Sequence, residues 1–573
     1  MPLAQRFESK TLSLPPLPQF GNVTKLLPFI VLAAILFAAC EALDTTPTLV
    51  PTSTTIPPVA PTLTLAPTSA PTPTRALSPA VIVSPSPTTR RGPGGSIIVA
   101  GVGAPSREIT ALPEFVSRAL YDSLLRVDPQ DGHLLPGLAE RWLVSEDAKT
   151  FVFILREGVK WHDGTSLTSD DVVFTLQELS SPDIRINPAA DFGMIEKITA
   201  TDARTVNITF REAYCAALTY IGVVNILPKH LLKDKALTNV ADGDLIGTGP
   251  LMLKEWDDDR ITFTRNANYW NGAPQIVDWT YQIFDDESAA RGAVRQGGTN
   301  VLVSDAALET VNVPYNANEF YALAMNVARK PFDDARVRQA IASALDRAQF
   351  TQTFDGAISL ETSLLPTFWA LPPNVAQPQF DVTRARQLLA EAGWRDGDGD
   401  GILEKEGKPF EVTLWAQAEE PRSELAAQIA REQLARIGVR AVLKLTERTL
   451  FLTRVFLQEY DLALVHFNIP LDPDQHYFWA SNETEPGFGL NVTGYQNARV
   501  DEALDAGNRV ARCESIARKN AYAPVFQQLA QDTPMVFLFA PPRVVNTNAR
   551  VRGIAPSSFA GAFWNLQMWE QEK

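Results

Sequence analysis

TFVFILREGVKWHDGTSLTSDDVVFTLQEL, residues 150–179, holds two elements and the joint between them. Thr150 to Gly158 alternates, and it is rich in β-branched and aromatic residues, the pattern of a half-buried strand. Asp163-Gly164 makes a turn. Thr168 or Ser169 then caps a helix whose first turn carries Asp170 and Asp171, which suit the positive end of the helix dipole. Val172, Val173, Leu176 and Leu179 supply its apolar face. The stretch therefore reads as a strand, a tight turn and a capped amphipathic helix.

Outward from this stretch the chain divides by composition. Leu26 to Ala39 is an uncharged run of fourteen residues ended by Cys40, with Arg6, Lys10 and Lys25 before it. As a helix it would span about 21 Å, short of a hydrocarbon core of about 30 Å, so it reads as the apolar part of a secretory signal. Ala38 and Ala39 before the cysteine resemble a lipoprotein signal, which is cut before a cysteine that then carries lipid. Phe37 departs from that pattern, which usually has leucine there. Residues 41–94 are more than half Pro, Thr and Ser. Such a segment has too little apolar surface to offset its ordering entropy, and its prolines bias it to an extended spacer.

The net charge of −15 over 573 residues excludes a phosphate-backbone partner, so nucleic acid is not expected. No CxxC occurs, which removes zinc ribbons and thioredoxin motifs. Cys215 and Cys513 are read as separately buried thiols, with a disulfide as the alternative in an oxidising compartment. Gly101 and Gly103 begin a dinucleotide fingerprint that fails at Ser106. Asp396, Asp398, Asp400 and Gly401 open like a calcium loop. The twelfth position is Gly407, however, and the run reads better as a turn between a helix and a hairpin. No nucleophile, base and orienting group can be assembled, so no catalytic residue, metal or cofactor is expected.

Further stretches follow in order: LAERW (138–142), ILPKHLL (226–232), IGTGPLMLKEW (246–256), FTRNANYWNGAP (263–274) and LAMNVARKPFDDARVRQAIASALDR (323–347). AGWRDGDGDGILEKEGKPF (392–410) and NVTGYQNARVDEAL (491–504) complete the series. Together with residues 150–179 this set resembles the family-5 extracellular solute-binding proteins, which include periplasmic peptide- and nickel-binding proteins. The resemblance covers residues 96–573. It implies a periplasmic-binding-protein-like fold of type II: two α/β lobes joined by two crossing strands, in the large cluster with an extra inserted domain.

The expected division is a signal peptide at 1–39 and a lipid-anchored linker at 40–94. The first lobe takes 95–138, 244–323 and 536–573, the inserted domain 139–243, and the second lobe 324–535. The resemblance also implies an oligopeptide or similar solute held between the lobes and delivered to an ABC permease with its ATPase subunits. The protein would be extracytoplasmic, touching the membrane only through lipid on Cys40. Nickel-chelate, sugar or opine-type solutes, and a permease-independent sensor, are the alternatives on the same scaffold.

Peptide-binding members hold the free amino terminus with an aspartate shortly before Asp-Pro-Asp. With Asp472-Pro473-Asp474 aligned, Ile469 stands in its place, and Asp472 is the carboxylate left to take over. The expected cleft residues are Tyr121, Phe368, Trp369, His466, Asn468, Asp472 and Trp479. Their aromatic rings would enclose the solute and their polar groups would orient it.

Overall fold

The computed structural model describes residues 93–181, 192–548 and 550–572. The signal, Cys40 and nearly all of the linker lie outside the described residues.

SIIVAGV, residues Ser96–Val102, becomes a central strand because it is apolar on both faces. It pairs in parallel with Asp278–Phe284 and Val301–Ser304. Antiparallel strands complete a sheet of seven, in the order 311–316, 542–547, 301–304, 96–102, 278–284, 260–265, 251–256. A second sheet of six has the order 358–359, 535–540, 319–325, 462–468, 411–417, 440–446. Here Glu411–Gln417 runs parallel to both Arg440–Thr446 and Leu462–Asn468. Residues Glu319–Met325 show why it forms a core: Tyr321, Leu323 and Met325 enter one apolar cluster, while Phe320, Ala322 and Ala324 enter another on the opposite face. These two sheets, with their helices, are the two lobes of the α/β fold.

The chain crosses between the sheets twice, at 316–319 and at 540–542. PMVFLFAPPRVV, residues 534–545, is one apolar run in sequence but holds two strands. Met535–Ala540 pairs in the six-stranded sheet and Pro542–Thr547 in the seven-stranded one. Pro541 and Pro542 stand at the passage, where ladder bonding breaks off and a missing N–H costs little. Residues 319–323 and 536–540 thus belong to the second sheet, which moves the crossings from the expected 323 and 536.

Strands Ala139–Val144, Thr150–Leu155, Ile195–Asp202 and Thr205–Phe210 build a separate antiparallel sheet of four. Against it lies the helix Ser169–Leu179, which starts as a capping box between Thr168 and Asp171. The core of this subdomain also takes in Leu124, Leu125 and Leu138 from the preceding segment, all fully buried. In the second lobe, helix Ala335–Ala344 buries Val337, Ala340, Ile341 and Ala344 and is capped by Asp334. Asp346 follows that helix. It caps the next one, and Arg347 is buried and paired to Glu361 at 3.2 Å. Asp396 to Asp400 form the expected turn between helix Val382–Glu391 and the hairpin at 404–409. There the carboxylate oxygens of Asp396, Asp398, Asp400 and Glu404 lie within 4.8 Å of one another.

Candidate functional site

In open α/β sheets, ligands bind beyond the carboxyl ends of parallel strands. Those ends are Val102, Phe284 and Ser304 in one lobe and Gln417, Thr446 and Asn468 in the other. The structure brings two of them together. Arg422, in the first turn after Gln417, donates to the carbonyl of Pro542 at 2.9 Å and that of Asp305 at 3.1 Å. It also pairs with the Asp305 carboxylate at 3.2 Å. Asp305, next to Ser304, receives Arg543 at 2.6 Å as well.

A chain of contacts leads from this bridge into the second lobe. Arg543 lies 3.6 Å from Glu319, and Glu319 lies 2.8 Å from Nε2 of His466. Burial opposes the charge on Glu319, but His466 and Arg543 outweigh it and hold the carboxyl below its usual range. The His466 ring stacks on Tyr321 at 4.2 Å, and Tyr321 stacks on Phe539 at 4.7 Å. The Tyr321 hydroxyl donates to Glu420 at 2.9 Å, and burial with that carboxylate raises its pKa. Glu420 in turn caps helix Pro421–Ala435 by accepting from the Ser423 N–H. The arrangement contains no nucleophile poised against a base. It fixes two sheet edges relative to each other and leaves polar groups at their margin.

Of the residues expected in the cleft, His466 and Asn468 are exposed at the carboxyl end of their strand. Phe368 and Trp369 join the lobes but are not free. Phe368 packs on Phe559 and on Gly132, while the Trp369 N–H donates to Asp131 and its ring lies 5.1 Å from His133. Tyr121 is buried at the end of helix Glu114–Leu120, its hydroxyl without a hydrogen-bond partner among the described residues.

Two expectations are overturned by position. Trp479 is 1% exposed, and its ring N–H is bonded to Gln475 at 3.0 Å. Asp472 is fully buried. It accepts a bidentate pair from Arg518 at 2.6 and 2.9 Å and a hydrogen bond from Thr219 at 2.7 Å. It therefore has no reach to a solute ammonium. Burial works against the charge on Arg518, and the Asp472 carboxylate more than offsets this.

Ile469 is buried, and its backbone exchanges two hydrogen bonds with Asn318, both 2.8 Å. The side-chain amide oxygen of Asn318, Oδ1, is itself buried with no partner among the described residues. The glycine-rich segment at 247–250 serves packing. A Cβ on Gly247 would sit 1.6 Å from the carbonyl oxygen of Leu120, and one on Gly249 2.5 Å from that of Ala119. His162 locks the same turn, accepting from the Gly247 N–H at Nδ1 and meeting the Gly249 carbonyl with Nε2. Burial holds its pKa down to about 4, so the ring is neutral there.

Sequence reading missed Glu319, Tyr321, Arg422, Arg543 and Asp305. The two-residue period of a strand would have put Glu319 and Tyr321 of EFYALAM on one face. The arginines carry no local signal, because their partners lie far away in the chain.

Two α/β lobes facing each other across parallel-strand ends, joined by two crossings, define a hinged solute-binding protein. The family model for bacterial extracellular solute-binding proteins, family 5, matches residues 133–488, and the chain belongs to that family. Its relatives include the oligopeptide-binding protein AppA of Bacillus subtilis, 27% identical over 476 residues that cover 78% of this chain and 86% of AppA. The glutathione-binding protein GsiB of Salmonella typhimurium is 28% identical over 348 residues, covering 58% and 64% of the two chains. The solved structure of Bacillus subtilis AppA with a nonapeptide matches with a TM-score of 0.67 at 25% identity, covering 84% of this chain and all of that one. NikZ from Campylobacter jejuni, solved with Ni(L-His), shares the fold with a TM-score of 0.69 at 24% identity, over 83% of this chain and 99% of that one. Among the described residues no helix is long and apolar enough to cross a membrane.

Proposed function

We propose that this protein is the solute-binding component of an ABC importer, capturing a peptide or peptide-like solute between its lobes and handing it to a membrane permease. Lipid on Cys40 and the Pro/Thr-rich spacer would hold the folded part outside the cytoplasmic membrane within reach of that permease. The supporting observation is the pair of facing strand ends, crossed at 316–319 and 540–542 and bridged by Arg422 and Asp305. Closure of such a cleft is driven only by contacts that the solute makes to both lobes at once. No catalytic step is needed, and the permease would read the closed shape.

The end of the solute near residue 469 is proposed to be neutral. Ile469 offers no carboxylate, and Asp472 is committed to Arg518. The unpartnered oxygen of Asn318 suits an amide N–H better than an ammonium, whose full charge would need an ionised partner. Native mass spectrometry of the purified protein, followed by titration with tetrapeptides in free and N-acetylated form, tests this. Tighter binding of the acetylated form is expected. Peptide binding that needs the free ammonium would overturn the neutral-end reading. Absence of any bound or titratable small solute would overturn the binding function itself.

A further inference from the structure

Cys215 and Cys513 form a disulfide across 298 positions of sequence, which overturns the reading of two free thiols. Its placement matters more than its existence. Cys215 belongs to the core of the inserted subdomain, whereas Cys513 sits between helices Ala498–Asn508 and Ser515–Asp532 of the second lobe. The bond is therefore a third covalent connection between the lobes, in addition to the two chain crossings.

Around it the segment 214–220 is docked by a dense set of polar contacts. The Cys215 N–H donates to the Asn508 carbonyl at 3.1 Å, and the Ala216 N–H to the Asn508 side chain at 3.1 Å. Asn508 is held by Asp474 at 2.8 Å, and Thr219 donates to Asp472. Arg512 reaches Glu146 in the inserted subdomain, and Tyr477 and Val510 pack against that subdomain's core. Asp472 and Asp474, the carboxylates of the Asp-Pro-Asp motif, thus build a dock for the inserted subdomain.

The subdomain is bound as firmly on its other side. Leu124, Leu125 and Leu138 are fully buried in its core, and Asp122 accepts from Thr248, Tyr269 and Trp270 within the first lobe. It cannot leave the first lobe without exposing that core.

We propose that the Cys215–Cys513 bond and its polar dock form a clasp that limits how far the lobes part. With the clasp intact, the cleft opens only by a pivot that the third connection allows. With it broken, the hinge at 316–319 and 540–542 is free to open wide. This does not depend on which solute is bound, so it stands or falls separately from the neutral-end reading.

The test is a distance measurement between the lobes on the full chain. Gadolinium labels are attached through azido-phenylalanine at Asp258 and Glu432, both exposed and one in each lobe. Distance distributions from electron–electron resonance are compared for the oxidised protein and the Cys215→Ser/Cys513→Ser variant. A single narrow population is expected with the bond intact, and an added longer population without it. Wild-type protein reduced with a phosphine gives the same comparison if the double variant does not fold. Superimposable distributions, even with a lower melting temperature, would overturn the clasp and leave the bond a staple of stability alone.

Discussion

Replacing Asp472 with alanine separates a structural carboxylate from a solute-binding one. In the native protein it meets both donors of Arg518 and the Thr219 hydroxyl, and it also accepts the Asp474 N–H at 3.0 Å. Arg518 retains only 5% of its side-chain exposure. Removing Asp472 leaves that guanidinium charged, buried and unpaired, a loss of about 3–5 kcal/mol in measured cases. The Thr219 hydroxyl and one backbone N–H lose their acceptor as well, at about 1 kcal/mol each if taken alone. These losses overlap, because all three groups share one carboxylate, so the expected total stays near 3–5 kcal/mol.

The assay is urea unfolding followed by tryptophan fluorescence. The control is the double change Asp472→Leu/Arg518→Met, which removes the orphaned charge and should restore at least half of the loss. An Asp472→Ala midpoint within error of wild type, together with lost solute binding, would refute the reasoning and return Asp472 to the cleft.

Four further outcomes are expected. His476 donates to Asp474 at 2.5 Å and to Asp505 at 3.2 Å, and these carboxylates override its burial and raise its pKa to about 9. Its ordinary value is about 6.5, so its stabilising effect is complete below that pH and is lost as pH rises through about 9. The melting temperature should fall from pH 7 to 10 more in wild type than in His476→Gln, and parallel curves would contradict this. Breaking the disulfide should lower stability by about 2–5 kcal/mol, read from the urea midpoint under oxidising conditions. Ile469→Asp should strengthen binding of free-amino peptides by about 10- to 100-fold, the range of a charge-assisted hydrogen bond, with N-acetylated peptides unimproved in the same titration. Phe368→Ala should destabilise by about 3–5 kcal/mol, as for a buried ring, whereas His466→Ala should change solute affinity with little effect on melting.

The fold was legible because its signals are local. The cap at Thr168 and the apolar face of 169–179 are written within a dozen residues, as are the capped helix at 335–344 and the turn at 396–401. The crossings were misplaced because EFYALAM and MVFLFA are apolar on both faces, and such strands look the same in either sheet. The site was legible only where one strand carried it. His466 and Asn468 share the exposed end of one strand, close to the Asp-Pro-Asp motif in sequence, whereas the Arg422–Asp305 bridge joins residues 117 positions apart. Asp472 was misread for a related reason: its pairing with Arg518 and Thr219 arises only after three distant segments have packed. The disulfide is the extreme case, because sequence states how many cysteines exist and not which elements bring them close.

Residues 468–476 tie these observations into one mechanical argument. The loop starts at Asn468 on the cleft margin and passes Ile469, whose backbone is fixed to Asn318 at the first crossing. Three residues later Asp472 enters the dock that receives the inserted subdomain, and His476 closes it. Pro470 and Pro473 fix two backbone dihedrals between these points, so the connection is short and stiff. A buried ion pair contributes little net stability compared with an apolar substitute, which makes its presence here a matter of position. It anchors the loop at a single setting, with the proposed solute end and the proposed clasp separated by a few constrained bonds. A solute that displaces Ile469 must then strain the Asp472 dock or be accommodated by it. Substitutions at Pro470 or Pro473 that loosen the loop should weaken that coupling while leaving both ends chemically intact.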